Sequence, residues 1–335
     1  MRRSWLVLAL GFACKSPPGT ADPALDDVET DTPTETDADT DTDADTDTEP
    51  GPTPIRFVAL GDGGEGNPAQ YEVGRRMATV CAARGCDFAL YLGDNFYNTG
   101  VSSVDDDQFQ DKFELPYADL DFPFHVALGN HDYGGEGLGI EFWKVDPQIE
   151  YTDRSDKWTM PDRFYEFFVD DVQFVALDTN AVFYDLSGDQ RSFVEDVFTH
   201  PARLRIGFGH HPYVSNGKHG NAGNYEGLSE DLPFVEIPRG DYVKAFFEDN
   251  LCGKLDLYFS GHDHNRQWLK PTCGTEFIVT GAAAKTTAFA DRGNPVWFED
   301  DTKPGFVWIE IRGDVVTLAF YNADGTLDYE DVTGR

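Results

Sequence analysis

The sequence predicts an α/β fold with helices covering sheets, and three features carry that expectation. From Ile55 onward short continuous apolar runs recur, each closed by glycine and a polar residue, which is how strands buried on both faces read. After the first run, "YEVGRRMATVCAARG" spaces Val73, Met77 and Val80 as one helical face, with Gly85 as a C-terminal stop. Near the end, "GFVWIEIRGDVVTLAFYNADG" sets two alternating runs around Arg312, Gly313 and Asp314, a hairpin signal.

In chain order the strand runs are "IRFVALGDGG", "CDFALYLGDN", "FPFHVALGNHD", "VQFVALDTN", "LRIGFGHHP", "KLDLYFSGHDHN" and "EFIVTGAAAK", followed by the terminal hairpin. No longer internal repeat interrupts this grammar, and residues 52–335 read as one domain. In open α/β sheets ligands sit beyond the carboxyl ends of the strands. This sequence concentrates its unusual residues there.

The segment before the domain has a different character. Met1, Arg2 and Arg3 precede the apolar stretch "WLVLALGFA", which is too short to span a bilayer and reads as an export signal over residues 1–14. Cys14 follows a small residue, as at a bacterial lipoprotein processing site, although Leu10 stands one residue further from Cys14 than that pattern has it. The expectation is a lipidated Cys14, with simple cleavage and release as the alternative. Residues 15–51 are rich in Asp and Thr: from Asp22 to Glu49 there are 13 acidic residues and no basic one. Such a stretch repels itself and has little to bury, so it reads as a disordered linker.

The formal net charge of the 335-residue chain is −35. Beyond residue 50, 48 acidic residues face 23 basic ones, so the domain itself is strongly acidic. That excludes nucleic-acid binding by phosphate neutralisation, which needs a basic face, and it suits an exported protein kept soluble by self-repulsion. The membrane is approached only through the candidate lipid anchor. Four cysteines remain in the domain, and an even number in an exported chain points to two disulfides. Cys81–Cys86 with Cys252–Cys273 is the simplest of three pairings.

The strand ends supply the chemistry. They carry Asp62 in "GDGG", Asp94 and Tyr97 in "GDNFY", and Asn130 with His131 in "GNHD". They also carry His210 in "GHHP", and His262 with His264 in "GHDH". Each piece alone has an ordinary reading as a turn or a solvated histidine, and His125, His200 and His211 keep that reading. Five such elements directly after five apolar runs do not. Two carboxylates, a phenol, an amide oxygen and three imidazoles, with no thiolate, suit iron, zinc or manganese. Seven donors are too many for one tetrahedral ion and suit two ions sharing a bridge.

From about Phe57 to Lys285 these motifs resemble the purple acid phosphatases within the binuclear metallophosphoesterases, most closely the small tartrate-resistant branch. The resemblance implies a sandwich of two mixed β-sheets flanked by helices. It implies that Asp62, Asp94, Tyr97 and His264 hold a ferric ion. Asp94 would bridge to a second ion, Fe(II), Zn(II) or Mn(II), completed by Asn130, His210 and His262. Tyr97 distinguishes this branch, its phenolate being a hard anionic ligand for iron(III). His131 and His219 would contact substrate phosphate, although "VSNGKHGN" around His219 departs from the family's pattern, and His211 stands where relatives have an aromatic residue, at the rim or behind the ligands.

The implied function is an exported acid phosphatase hydrolysing phosphate monoesters by attack of metal-bound hydroxide. The alternatives are a phosphodiesterase or nucleotide-cleaving enzyme with the same metals, and a non-catalytic surface lipoprotein. A redox role, attributed to some relatives, is compatible with hydrolysis. The segments around Asp153–Trp158, Asn216–Leu232 and Ala288–Asp301 are expected to rim the pocket, where Trp158, Tyr213, Tyr225 and Trp297 are available to stack an aromatic alcohol or to serve the fold.

Overall fold

The computed structural model of the chain describes residues 53–229, 236–290 and 292–334. The expected export signal, Cys14 and the Asp/Thr-rich linker lie outside the described residues. Among the described residues fourteen strands form two seven-stranded mixed sheets. Their ranges are β1 Ile55–Leu60, β2 Phe88–Leu92, β3 Phe124–Ala127, β4 Trp158–Thr159, β5 Tyr165–Val169, β6 Val172–Ala176, β7 Leu204–Phe208 and β8 Leu257–Ser260. They continue as β9 Arg266–Leu269, β10 Glu276–Thr280, β11 Val296–Asp300, β12 Gly305–Arg312, β13 Val315–Asn322 and β14 Leu327–Gly334.

One sheet has the order β14-β13-β12-β1-β2-β3-β4 and the other β11-β9-β10-β8-β7-β6-β5. β1 to β4 run parallel, as do β6, β7, β8 and β10. The strand ends that carry the motifs of each sheet therefore share one edge of that sheet. Strands β2 and β6 are buried along their whole length, which is why they read as unbroken apolar runs.

The sheets meet through aromatic rings. Phe57 of β1 stacks on Phe88 of β2 at 4.9 Å and meets Phe174 of β6 and Phe259 of β8 edge-on at 5.5 and 6.0 Å. Phe167 of β5 stacks on Phe174 at 4.8 Å. Edge-on and offset pairs at these separations add to the area they bury.

The helix Pro68–Arg84 follows β1. Asn67 caps it by accepting from the Gln70 amide at 2.9 Å, and Gly85, with φ at 84°, ends it while its amide bonds the Cys81 carbonyl. Val73, Met77 and Val80 are its buried apolar residues, as their spacing required. Cys81 then bonds Cys86, closing the turn into β2, and Cys252 bonds Cys273. The terminal hairpin pairs Arg312 with Val315 across a two-residue turn in which Gly313 adopts φ 57°.

Candidate active site

Each motif is a tight turn leaving a strand, and the turns need unusual backbone. Asp62, Asp94 and His262 have φ values of 59°, 53° and 69°, a region non-glycine residues occupy at a cost when a site demands it. The glycines before the ligands are dictated by crowding. A Cβ on Gly129 would collide with the Asp94 amide and carboxylate, and one on Gly261 with the Asp62 carboxylate.

The seven predicted donors converge in two adjoining groups. In the first, the Tyr97 hydroxyl is 2.9 Å from Asp62 Oδ1 and 3.2 Å from His264 Nε2, and that nitrogen is 3.3 Å from Asp62 Oδ1. In the second, His210 Nε2 is 3.0 Å from Asn130 Oδ1, 3.1 Å from His262 Nδ1 and 3.5 Å from Asp94 Oδ1. Ligating atoms of Asp62, Asp94 and His210 all lie within 4.8 Å of one another, which joins the groups.

The surrounding hydrogen bonds say what these atoms can be. His210 Nδ1 meets the Leu92 carbonyl at 2.9 Å. A carbonyl only accepts, so Nδ1 carries a proton, and in the neutral ring Nε2 presents a lone pair. The Asn130 amide nitrogen donates to the Gly137 carbonyl at 2.8 Å, so its oxygen faces that lone pair. Two lone pairs 3.0 Å apart repel unless a proton or a metal ion lies between them. His264 is turned by Thr287, whose Oγ1 is 3.2 Å from Nδ1, leaving Nε2 to face Asp62 and Tyr97. A cation-binding site with oxygen and nitrogen donors fits these residues, and the outer hydrogen bonds are of the kind that orient metal ligands.

Electrostatics agree. Burial works against the Asp94 charge, but the His210 and His131 rings in their protonated form and the His131 amide, donating at 2.9 Å, hold its pKa down to about 2. Burial and the Asp62 and Asp94 charges push the Tyr97 phenol well up, so only a strong cation would displace its proton. Burial and the neighbouring His219 keep His262 neutral, as a ligand must be.

The two predicted substrate histidines flank this centre. His131 packs 4.4 Å from the Tyr97 ring and its Nδ1 bonds the Asn98 carbonyl at 2.8 Å. His219 lies 4.0 Å from the His262 ring, its Nδ1 against the Glu226 carboxylate. Burial opposes a charge on His219, yet the Glu226 bond and the Asp263 carboxylate raise its pKa.

Several contributors are absent from the sequence reading. Asp263 accepts from the His219 amide at 2.8 Å, the Ser215 hydroxyl at 2.6 Å and the Gly220 amide at 3.1 Å, which fixes the His219 loop. Asp132 accepts from the amides of Gly129, Asn95 and Phe96 at 2.7, 2.9 and 3.1 Å, which clamps the "GNHD" turn to the "GDN" turn. Both aspartates stand inside the quoted motifs, beside the ligands.

A cleft of about 220 Å³ opens beside the second group, with Asn130, His262, His219 and Glu226 at one side and Leu138, Phe183, Tyr225 and Pro238 among its walls. Of the three expected rim segments, the one around Asn216–Leu232 contributes; its residues from Glu230 on lie outside the described part. The other two do not line this cleft. Trp158 is buried in the core, its indole N–H on the Gln148 carbonyl at 2.8 Å. Trp297 lines a separate hollow beside Trp268. Arg292 of the third segment supports the His219 loop from behind, through the Lys218 and Asn224 carbonyls. Residues 137–138 and 180–183 take the place of the two missing segments. His211 is buried and lines the cleft from behind His262: its Nδ1 is 3.0 Å from the Thr179 hydroxyl and its ring 4.6 Å from the His262 ring.

Known proteins place this site in a family. The calcineurin-like phosphoesterase profile matches residues 55–266. The chain is 32% identical over 301 residues to tartrate-resistant acid phosphatase type 5 of Sus scrofa, covering 82% of this chain and 85% of the relative. It is 29% identical over 303 residues to purple acid phosphatase 4 of Arabidopsis thaliana, covering 81% of each. Among solved structures, a purple acid phosphatase from yellow lupin seeds superposes with a TM-score of 0.60 at 18% identity, over 84% of this chain and 54% of that one. GAP50, the anchor in the inner membrane complex of Plasmodium, superposes at 0.65 with 20% identity, over 84% and 89%. The structural likenesses speak for the fold and the sequence relatives for descent: this chain belongs to the calcineurin-like phosphoesterases, on their tartrate-resistant and purple acid phosphatase branch.

Proposed function

We propose that the protein is an exported acid phosphatase that hydrolyses phosphate monoesters at a binuclear centre of Fe(III) with Fe(II), Zn(II) or Mn(II). The observation that carries this reading is the convergence of metal-ligating atoms from separate strand ends, with the Asn130 oxygen at 3.0 Å and His262 Nδ1 at 3.1 Å from His210 Nε2, beside the phenol, carboxylate and imidazole of the adjoining group. Asp62, Asp94, Tyr97 and His264 would hold the ferric ion. Asn130, His210 and His262 would hold the second, with Asp94 shared. When bound, the ions neutralise phosphoryl oxygens and acidify a water for attack on phosphorus.

The chain's own groups do the rest. His131 and His219 each have Nδ1 engaged by an acceptor, which leaves Nε2 to bind a phosphate oxygen or to give a proton to the departing alcohol. Glu226 orients His219 and Asp263 anchors the loop that carries it. Leu138, Phe183 and Tyr225 exclude water from one side of the leaving group. Export is supported by the two disulfides, which persist in oxidising compartments; anchoring through Cys14 remains part of the proposal.

The test is turnover of an aryl phosphate monoester against the matching diester at acid pH, with the visible spectrum recorded on the same sample. Monoester preference and a visible band that Tyr97→Phe abolishes are expected. Diester preference would shift the assignment to a phosphodiesterase. Absence of both turnover and metal would favour a non-catalytic surface protein.

A further inference from the structure

Lys285 lies over the face of Tyr97. Its Nζ is 3.5 Å from the ring centre and 2.5 Å from Glu65 Oε1. An ordinary surface Lys–Glu pair contributes little and wanders. This one is held at both ends. Glu65 belongs to the turn that presents Asp62, and Lys285 to the segment leaving β10. That segment is pinned where the Ala283 amide donates to the Gly61 carbonyl at 3.2 Å and where Asn67 Nδ2 donates to the Ala284 carbonyl at 3.0 Å. Two residues past Lys285, Thr287 donates its amide to the His264 carbonyl at 2.8 Å and sets its hydroxyl against the His264 ring. One short stretch therefore orients His264 and carries a cation to the Tyr97 ring.

We propose that Lys285, aimed by Glu65, is a positioning residue that sets the electron-donor strength of the Tyr97 phenolate toward the ferric ion, an inference that rests on the reading of Tyr97 as that ion's ligand. The ring sits between two fields. Asp62 and Asp94 bear on its oxygen, and the ammonium bears on its face, where the ring's quadrupole and the phenolate charge both attract a cation. A positive charge there stabilises the electron-rich ring and competes with iron for its density. Charge transfer from ring to iron then requires more energy. The same charge weakens the donor and opposes iron(III), so it raises the potential of the iron couple. Lysine at position 285 thus favours a site in which iron can be reduced.

The experiment compares the iron-loaded full-length protein with Lys285→Met, Lys285→Arg and Glu65→Gln, recording the visible band, the midpoint potential and the iron content of each. In Lys285→Met the band should move to longer wavelength and the potential should fall, with iron content unchanged. Lys285→Arg should stay near the wild-type values, and Glu65→Gln, which frees the ammonium, should fall between. If Lys285→Met does not fold, Lys285→Gln gives the same readout. A band and potential that do not move when the charge is removed overturn the proposal, as does a change that Lys285→Arg fails to restore. Wild-type protein that binds iron without a visible band would instead remove Tyr97 from the ferric ion and take the proposal down with it.

Discussion

Glu226 and His125 show how much of this protein's chemistry is set one residue at a time. The Glu226 carboxylate holds Nδ1 of His219, seven residues earlier in the chain, and a positioned acid–base group is typically worth about 10²–10⁴-fold. Glu226→Gln should therefore lower kcat/KM for an aryl phosphate at least about tenfold while metal content and melting temperature hold; unchanged kinetics would detach Glu226 from the site. His125 stands on β3, stacked at 3.6 Å on Phe167, and burial lowers its pKa to about 4. An unfolded histidine titrates near 6.5. Between those values the unfolded chain binds a proton that the folded chain refuses, so this group's contribution is present above about pH 6.5 and lost as the pH falls toward 4. The loss is at most about 3 kcal/mol. His125→Phe should lose less stability than wild type between pH 7 and pH 4.5 in denaturant titrations; equal losses would contradict the assignment. At this scale the donors were legible, because each follows an apolar run and a glycine. Asp132, Asp263 and Thr287 were not, because they act through backbone amides and ring nitrogens that only the fold brings near.

At the scale of elements, the strand that ends in a ligand is the unit of construction. β1, β2, β3, β7 and β8 each stop at a turn that begins with glycine, and at Gly129 and Gly261 the missing Cβ leaves room for a carboxylate from a neighbouring turn. Gly129→Ala tests this directly. Its methyl would collide with the Asp94 amide and carboxylate, so the variant should fold yet lose metal affinity at least tenfold; wild-type metal content by elemental analysis would show that the turns are looser than described. The buried strands were readable in the sequence as unbroken apolar runs. β4, β5, β9, β11 and β14 were not. β4 has two residues and β9 four, too few for a period. β11 and β14 are edge strands carrying acidic residues, and an edge needs only one apolar face, reading as loop when charges alternate with it. β5 lies tight against β6 across Asp170 and Asp171. Two of the three expected rim segments misled because a loop that is aromatic and long in sequence says nothing about which end of the sandwich it covers.

The whole molecule joins two sheets through an aromatic interface and gathers its candidate ligands where five strand ends from both sheets meet. A centre built this way ties the sheets together, so metal should stabilise the fold as any ligand of the native state does. Removal by chelation should lower the melting temperature and abolish hydrolysis, and restoring metal should return both. The domain beyond residue 50 carries 48 acidic residues against 23 basic ones, so the attraction for phosphate has to be local. The account therefore depends on two cations in one small volume. The most direct measurement is elemental analysis of protein purified without chelator, counting iron, zinc and manganese per chain in the wild type and in Asp94→Asn. The account predicts two ions per chain with at least one iron, and loss from both positions in Asp94→Asn; a single ion, or two that the substitution leaves in place, would contradict the shared centre.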